Sequence, residues 1–130
     1  MLSKVVALAE EVGHVLVATA DAAGLPHVAS AGRLTLAPDG RVLLAEWFCP
    51  GTMSNLQQNR RIALVVWNAD TDTGYQLLGK VEQVRDLAIL DGYAPEQEDE
   101  SPPPQVEREL LVRVDKILDF SHAPHSDVVE

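Results

Sequence analysis

Short apolar runs separated by turn residues recur along the chain, and their spacing is the feature that most limits the fold. The runs are "HVLVATAD", "HVASAGRLTL", "RVLLAEWF", "IALVVWNA" and "YQLLGKVEQV". The segments between them, such as "AAGLPH", "APDG" and "DTDTG", carry the Gly, Pro and Asp chemistry of turns. Short strands at intervals of about 8–12 residues favour an antiparallel sandwich or barrel. Gly79, inside the fifth run, indicates a β-bulge or a close backbone approach.

The remaining segments predict two main helices and a last strand. Ser3 caps a helix whose apolar face is Val5, Val6, Ala9 and Val12 and which stops at Gly13. "GTMSNLQQN" predicts a helix between strands 3 and 4, "RDLAILDGYA" a brief helix, and "ERELLVRVDKILDF" the sixth strand. We therefore predict a mainly β fold, a Greek-key-like barrel of about six antiparallel strands. It forms one domain, 1–130, with an acidic Pro-rich loop at about 95–105 and a flexible tail at about 121–130.

Charge and composition exclude several classes of partner. The formal net charge is −10 and the pI is near 4.7, so we expect neither nucleic acid nor an anionic membrane surface as a partner. No apolar run approaches the roughly 20 residues that span a bilayer, and Glu10 and Glu11 interrupt the N-terminal stretch before a signal-peptide pattern develops. A single cysteine, Cys49, cannot form an internal disulfide, and we expect a small buried residue in a cytoplasmic protein.

The stretch "GTMSNLQQNRRIALVVW", residues 51–67, changes from helical to strand character without a loop. A helix N-terminus presents unpaired N–H groups, so a phosphate could lie here, helped by Gly51 and the hydroxyl of Thr52. Alternatively, Thr52 simply caps its own helix. The arginines at the other end suit the negative helix C-terminus. The residues alone leave both interpretations open.

Several motifs in this order resemble the pyridoxamine-phosphate-oxidase-like FMN-binding split barrels. Thr52, Asn55, Leu56, Asn59, Arg61 and Ile62 match the pattern T-x-x-N-L-x-x-N-x-R-[IV] of the family's helix-to-strand segment. "GLPHVAS" precedes it, and "TGYQLLGKVEQV" and "LLVRVDKI" follow it. The resemblance covers roughly residues 3–120 and is typical of small stand-alone FMN-binding proteins.

The resemblance implies a homodimer with two FMN molecules at the subunit interface. Its function would be that of an oxidoreductase or electron carrier, in which the flavin performs the redox step for an unidentified small-molecule substrate or electron-transfer partner. Carried over by position, the cofactor-binding residues are Ala29, Ser30, Ala31, Arg33, Ala45, Glu46, Gly51, Thr52, Asn55 and Gln76. No protein residue is assigned a catalytic role, because no triad or carboxylate pair appears.

Family members commonly carry Arg or Lys at the positions of Gly51 and Thr52. Their absence favours an alternative, a split-barrel dimer that has lost productive flavin binding and acts as a ligand-binding or interaction module. A third alternative is a deazaflavin or haem cofactor, which related split barrels use. His122 and His125 have a spacing that a metal could use, but we assign them to an exposed tail and predict no metal site. His27, at a turn exit, is interpreted as structural.

Overall fold

The structure, a computed structural model, describes residues 1–46, 48–90, 105–123 and 129. Its elements are α1 (Leu2–Val12), β1 (Val15–Ala20), β2 (Pro26–Ala31), β3 (Arg33–Ala37), β4 (Arg41–Glu46), α2 (Pro50–Gln58), β5 (Arg61–Asn68), β6 (Thr73–Leu90) and β7 (Gln105–Asp119). Every strand pair is antiparallel. The mainly β class and the two main helices are therefore confirmed. Neither helix is long and apolar enough to cross a membrane.

The seven strands form one sheet in the order β2-β1-β5-β6-β7-β4-β3. The sequence predicted six because "HVASAGRLTL" read as one strand, whereas the structure divides it at Gly32 into β2 and β3. These two consecutive strands become the two edges of the sheet, so the barrel is split at this point. A Cβ on Gly32 would lie 2.9 Å from Oε2 of Glu46, so a residue without a side chain suits the division.

Alternating apolar residues place the core on the inner face of the sheet. Val15 and Val17 on β1 are fully buried, as are Leu64 and Val66 on β5. Helix α1 covers this core with Val5, Leu8 and Ala9. Full burial of one such aliphatic side chain contributes about 1.5–3 kcal/mol.

Helix α1 ends at the predicted residue but does not begin at the predicted one. Gly13 ends the helix in the left-handed conformation, at φ 87°, and its N–H donates to the carbonyl of Ala9 at 2.8 Å. The predicted cap at Ser3 is wrong, because the helix begins at Leu2 and Met1 occupies the N-cap position without a side-chain hydrogen bond. Leu8, which the prediction omitted from the apolar face, is buried.

The bulge predicted at Gly79 is confirmed. The pairing of β6 with β7 shifts register between Leu78 and Gly79, and Asp115 is the extra residue on β7. An unshifted strand would put residues 114, 116 and 118 on one face. Here Val114 and Ile117 both pack against the core. The bulge therefore moves Lys116 to the outer face, directly opposite Leu78.

The brief helix predicted from "RDLAILDGYA" is wrong over residues 85–90, which continue β6; the rest of that segment lies outside the described residues. Long-range pairing with β7 overrides the local helical preference here. Arg85 Nη2 lies 2.7 Å from Glu109 Oε1, and Arg108 Nε lies 3.2 Å from Asp86 Oδ1, so both cross-strand pairs support the extended conformation. Most of the predicted acidic loop also lies outside the described residues.

Candidate functional site

Helix α2 begins two residues before the predicted N-cap. Pro50 occupies the first helical position, which suits its fixed φ and missing N–H, and Cys49 is the N-cap. Thr52 therefore lies within the first turn and is completely buried. The interpretation of Thr52 as the cap is wrong, and its hydroxyl lies 3.1 Å from the sulfur of Cys49.

The sulfur of Cys49 lies at the start of α2, 3.1 Å from the Thr52 hydroxyl, where the helix stabilises a negative group. Burial raises the pKa of the Cys49 thiol, but hydrogen bonds from the Thr52 hydroxyl and from the backbone N–H groups of Thr52, Cys49 and Gly51 outweigh it, so the pKa is lowered. Cys49 is exposed, which corrects the expectation that it is a small buried residue. The N-terminus of α2 thus favours a negative charge, and the Cys49 thiolate is the nearest group within the chain that can supply one.

His27 lies beside the start of α2, a position that its sequence context did not reveal. A Cβ on Gly51 would lie 3.4 Å from His27 Nε2. His27 is directly opposite Thr19 across β1 and β2, and Thr19 Oγ1 accepts a hydrogen bond from Asn55 Nδ2 at 3.1 Å. The other ring nitrogen, Nδ1, is buried without a hydrogen-bond partner. Only the strand pairing, which the sequence does not contain, brings His27 to the helix.

The predicted residues at the β3 and β4 ends form a second group. Arg33 and Ala45 are direct partners across these strands, and Ala45 is buried. The guanidinium of Arg33 is exposed and lies 3.6 Å from Glu107 Oε1. Glu46, the last residue of β4, is opposite Arg108 on β7. Arg33 therefore has an acidic neighbour within the chain.

The predicted residues of β2 and β6 separate onto two faces. Ala29 and Ala31 are opposite Val17 and Val15 on the core face. Ser30 and Gln76 lie on the outer face, in one cross-strand row with Leu16, Val65 and Leu118. Leu16 is 36% exposed, and Val28 beside this row is 63% exposed. The outer face thus combines apolar surface with two of the predicted cofactor contacts.

A cleft of about 510 Å³ opens on the same outer face, next to that row. Its floor includes Ala18, Ala63 and Leu78, which are neighbours across β1, β5 and β6. Three cationic residues line it: Arg61, Lys80 and Lys116. None of the three is among the cofactor-binding residues that the resemblance implies. For Lys116 the sequence could not show its position, because only the bulge turns it to this face.

The structure holds the start of the C-terminal tail against the β5–β6 turn. Asp72 accepts hydrogen bonds from the indole Nε1 of Trp67 at 3.1 Å and from the backbone N–H of His122 at 2.8 Å. The His122 ring is 5.2 Å from the Trp67 ring. Within the described ranges no group of three His, Cys, Asp or Glu side chains could hold a metal ion. His125 lies outside the described residues.

Solved structures share this fold at low sequence identity. HupZ from Group A Streptococcus has 17% identity and a TM-score of 0.64, with 98% of each chain covered. An FMN-binding protein from Syntrophomonas wolfei has 16% identity and a TM-score of 0.57, covering 87% of this chain and 83% of its own. HutZ, the heme storage protein from Vibrio cholerae, has 13% identity and a TM-score of 0.57, covering 92% and 95%.

A search of the curated proteins finds no match. The family model described as pyridoxamine 5'-phosphate oxidase matches residues 1–118, which include every described element up to the end of β7 apart from its last residue. On the strength of that match, together with the shared split-barrel fold, the chain belongs to the pyridoxamine 5'-phosphate oxidase family.

Proposed function

We propose that the protein is an FMN-binding flavoprotein with its cofactor at a homodimer interface. The observation that carries the proposal is the outer sheet face, where Ser30 and Gln76 share one row with exposed apolar residues. An apolar sheet face of this kind requires a cover, and a second copy of the chain supplies one under two-fold symmetry. The family membership and the FMN-binding neighbour support flavin as the ligand.

The start of α2 fits a phosphate in part. Gly51 leaves the approach free of a side chain, and the N–H groups at the helix start favour a negative charge. The Nε2 edge of the His27 ring faces Gly51, which places an imidazole nitrogen beside the helix start. The hydroxyl of Thr52 already contacts Cys49, so Thr52 would assist the phosphate only through its place in the first turn of α2. We therefore assign the phosphate end to Gly51, Thr52 and Asn55.

Arg33 is the cation we propose for the phosphate, in place of the family's basic residues at positions 51 and 52. It begins β3, opposite Ala45, and its guanidinium is 64% exposed. Glu46, at the end of β4, completes the contacts along the strand ends, whereas Ala29 and Ala31 lie on the core face of β2 and only support the strand. When bound, the flavin supplies electron or hydride transfer, and the protein supplies its position and surroundings. The substrate would be a small redox molecule or an electron-transfer protein.

Reconstitution with FMN tests the proposal. Gly51→Asp places a carboxylate at the helix start and should weaken FMN binding at least about tenfold, whereas the equally large but neutral Gly51→Asn should weaken it less. Titration followed by flavin fluorescence quenching measures both. Equal affinities for the two variants would move the phosphate away from α2.

The role of Arg33 has its own matched control. Arg33→Ala should weaken FMN binding about tenfold at low salt, and the difference should shrink as ionic strength rises. Arg113, 47% exposed and also paired with a carboxylate, is a comparable arginine four residues along β7 from Glu109, the residue opposite Ala45. Arg113→Ala should leave the affinity unchanged. An Arg33→Ala protein that binds as tightly as the parent removes Arg33 from the site.

The second candidate is a split-barrel dimer that does not use FMN. The position of Cys49 favours it, because its sulfur lies at the N-cap of α2, contacts the Thr52 hydroxyl at 3.1 Å and has a lowered pKa, so a thiolate would compete with a phosphate there. The absorption spectrum of the purified protein separates the candidates. Oxidised flavin, deazaflavin and haem absorb differently, and a colourless protein that ignores added FMN supports a ligand-binding or interaction module.

A further inference from the structure

Three cations in the outer-face cleft have no ion-pair partner in the described part of the chain, although acidic residues outnumber basic ones by 20 to 10. Most other arginines do have such a partner, namely Arg33, Arg41, Arg85, Arg108 and Arg113. Arg61, Lys80 and Lys116 instead line one cavity. Such a concentration of positive charge in a chain of net charge −10 creates a local attraction for anions.

The strand register explains why the three cations converge. Arg61 is directly opposite Lys80 across β5 and β6, and Lys116 is opposite Leu78 across β6 and β7. Lys116 reaches this face only because of the bulge at Gly79, in which Asp115 is the extra residue on β7. Asp115 is the one carboxylate among the lining residues, and Arg113 Nε lies 3.2 Å from its Oδ1. The cleft therefore retains an excess of positive charge.

The floor of the cleft is flat and apolar. Ala18 and Ala63 contribute only methyl groups, Gly79 contributes no side chain, and Leu78 lies between the alanines and Lys116. Small side chains on a sheet leave room for a planar ring to lie against the strands. A volume near 510 Å³ is within the range of about 300–1,000 Å³ that small-molecule sites occupy.

We propose that this cleft binds a nucleoside phosphate, with the base on the alanine floor and the phosphates between Arg61, Lys80 and Lys116. A nucleoside diphosphate combines a planar ring with a charge of about −3 at neutral pH, which three cations balance. The proposal concerns residues that the FMN assignment does not use, and its test requires no bound flavin. It places a second ligand on the outer face beyond the row of Ser30 and Gln76, toward Arg61 and Lys80.

The test is calorimetric titration of the purified protein with ADP, adenosine and pyrophosphate. ADP should bind more tightly than either fragment, because only ADP offers both the ring and the charges. The double variant Lys80→Gln/Lys116→Gln should weaken ADP binding on the order of tenfold or more at low salt. Ala63→Met, which fills the floor and keeps every charge, should also weaken it. Urea unfolding confirms that each variant keeps its fold.

Lys4→Gln is the matched control, since it removes one exposed cation from α1 and should change ADP affinity less than twofold. No ADP binding at millimolar concentration overturns the proposal. It is equally overturned if the double variant weakens ADP no more than Lys4→Gln does, or if Ala63→Met has no effect. Pyrophosphate binding as tightly as ADP overturns the nucleoside part. FMN reconstitution is measured separately, so failure here leaves the proposed function untouched.

Discussion

The carbonyl oxygen of Arg113 occupies the space in which a side chain on Gly79 would lie. Because the obstacle is backbone in a paired strand, it cannot move aside as a flexible side chain would. We expect Gly79→Ala to lower the free energy of unfolding by at least about 2 kcal/mol, measured by urea denaturation. Gly51→Ala is the control, since its Cβ would lie in ordinary contact with His27. Equal stability of the two variants would contradict the close approach.

The contact between Asp72 and the tail should be lost in acid. The backbone N–H of His122 lowers the pKa of the Asp72 carboxyl most, and the indole of Trp67 lowers it further. A carboxyl whose folded pKa is depressed stabilises the fold above its unfolded pKa, near 3.8, and this contribution disappears as pH falls through the folded value. NMR of the Trp67 indole N–H in a Trp47→Phe background should show a shift below about pH 4.

Asp72→Asn separates the charge from the hydrogen bonds. Asn keeps an acceptor oxygen and tolerates the positive φ of 51° at this position. The variant should retain the indole contact but lose its acid titration, whereas Asp72→Ala should lose both. A titration of the Trp67 signal that persists in the Asn variant would assign the transition to another group.

The Cys49 thiol should react faster at neutral pH than an ordinary exposed cysteine. Its hydrogen bonds with Thr52 and with the helix N–H groups stabilise the thiolate. The pH dependence of iodoacetamide alkylation should give a pKa below the ordinary thiol value, and Thr52→Val should raise it. Ser54→Ala, on an exposed residue of the same helix, should not. A parent protein with an ordinary thiol pKa would contradict the observed contacts.

Dimerisation should depend on the outer sheet face. Val28→Lys introduces a charge where 63% of the valine is exposed, and we expect it to raise the dimer dissociation constant at least about tenfold. Leu36→Lys changes a similarly exposed residue, on β3, and should have little effect. Sedimentation across a micromolar concentration range measures both. A parent protein that sediments only as a 14.1 kDa species contradicts the dimer itself.

The sequence predicts local structure well where one pattern dominates. The run "IALVVWNA" is continuously apolar and is followed by turn residues, and β5 covers most of it. The bulge at Gly79 was predictable because a glycine inside a strand commonly marks a bulge or a close backbone approach. Helix α2 was predicted, but its start was placed two residues late. The prediction used the Thr52 hydroxyl as the cap, whereas Pro50, which favours the first position of a helix, marks the true start.

The candidate site was less predictable because it depends on partners distant in sequence. His27 reaches α2 only through the pairing of β1 with β2, and Lys116 faces the cleft only because an extra residue shifts the register of β7. Residues 85–90 show the same limit, since a local helical preference yields to pairing with β7. In each case the deciding interaction joins segments that no short window of sequence contains.

The strand order has a consequence for how the chain is made. β4, from the first half of the sequence, completes its pairing only with β7, where Val42 meets Val112. Until residues 105–119 have left the ribosome, the apolar edge of β4 has no permanent neighbour. Contacts so distant in sequence form slowly, and unpaired strand edges promote aggregation. The nascent chain should therefore remain protease-sensitive through most of its synthesis and acquire its structure only when the last strand is available.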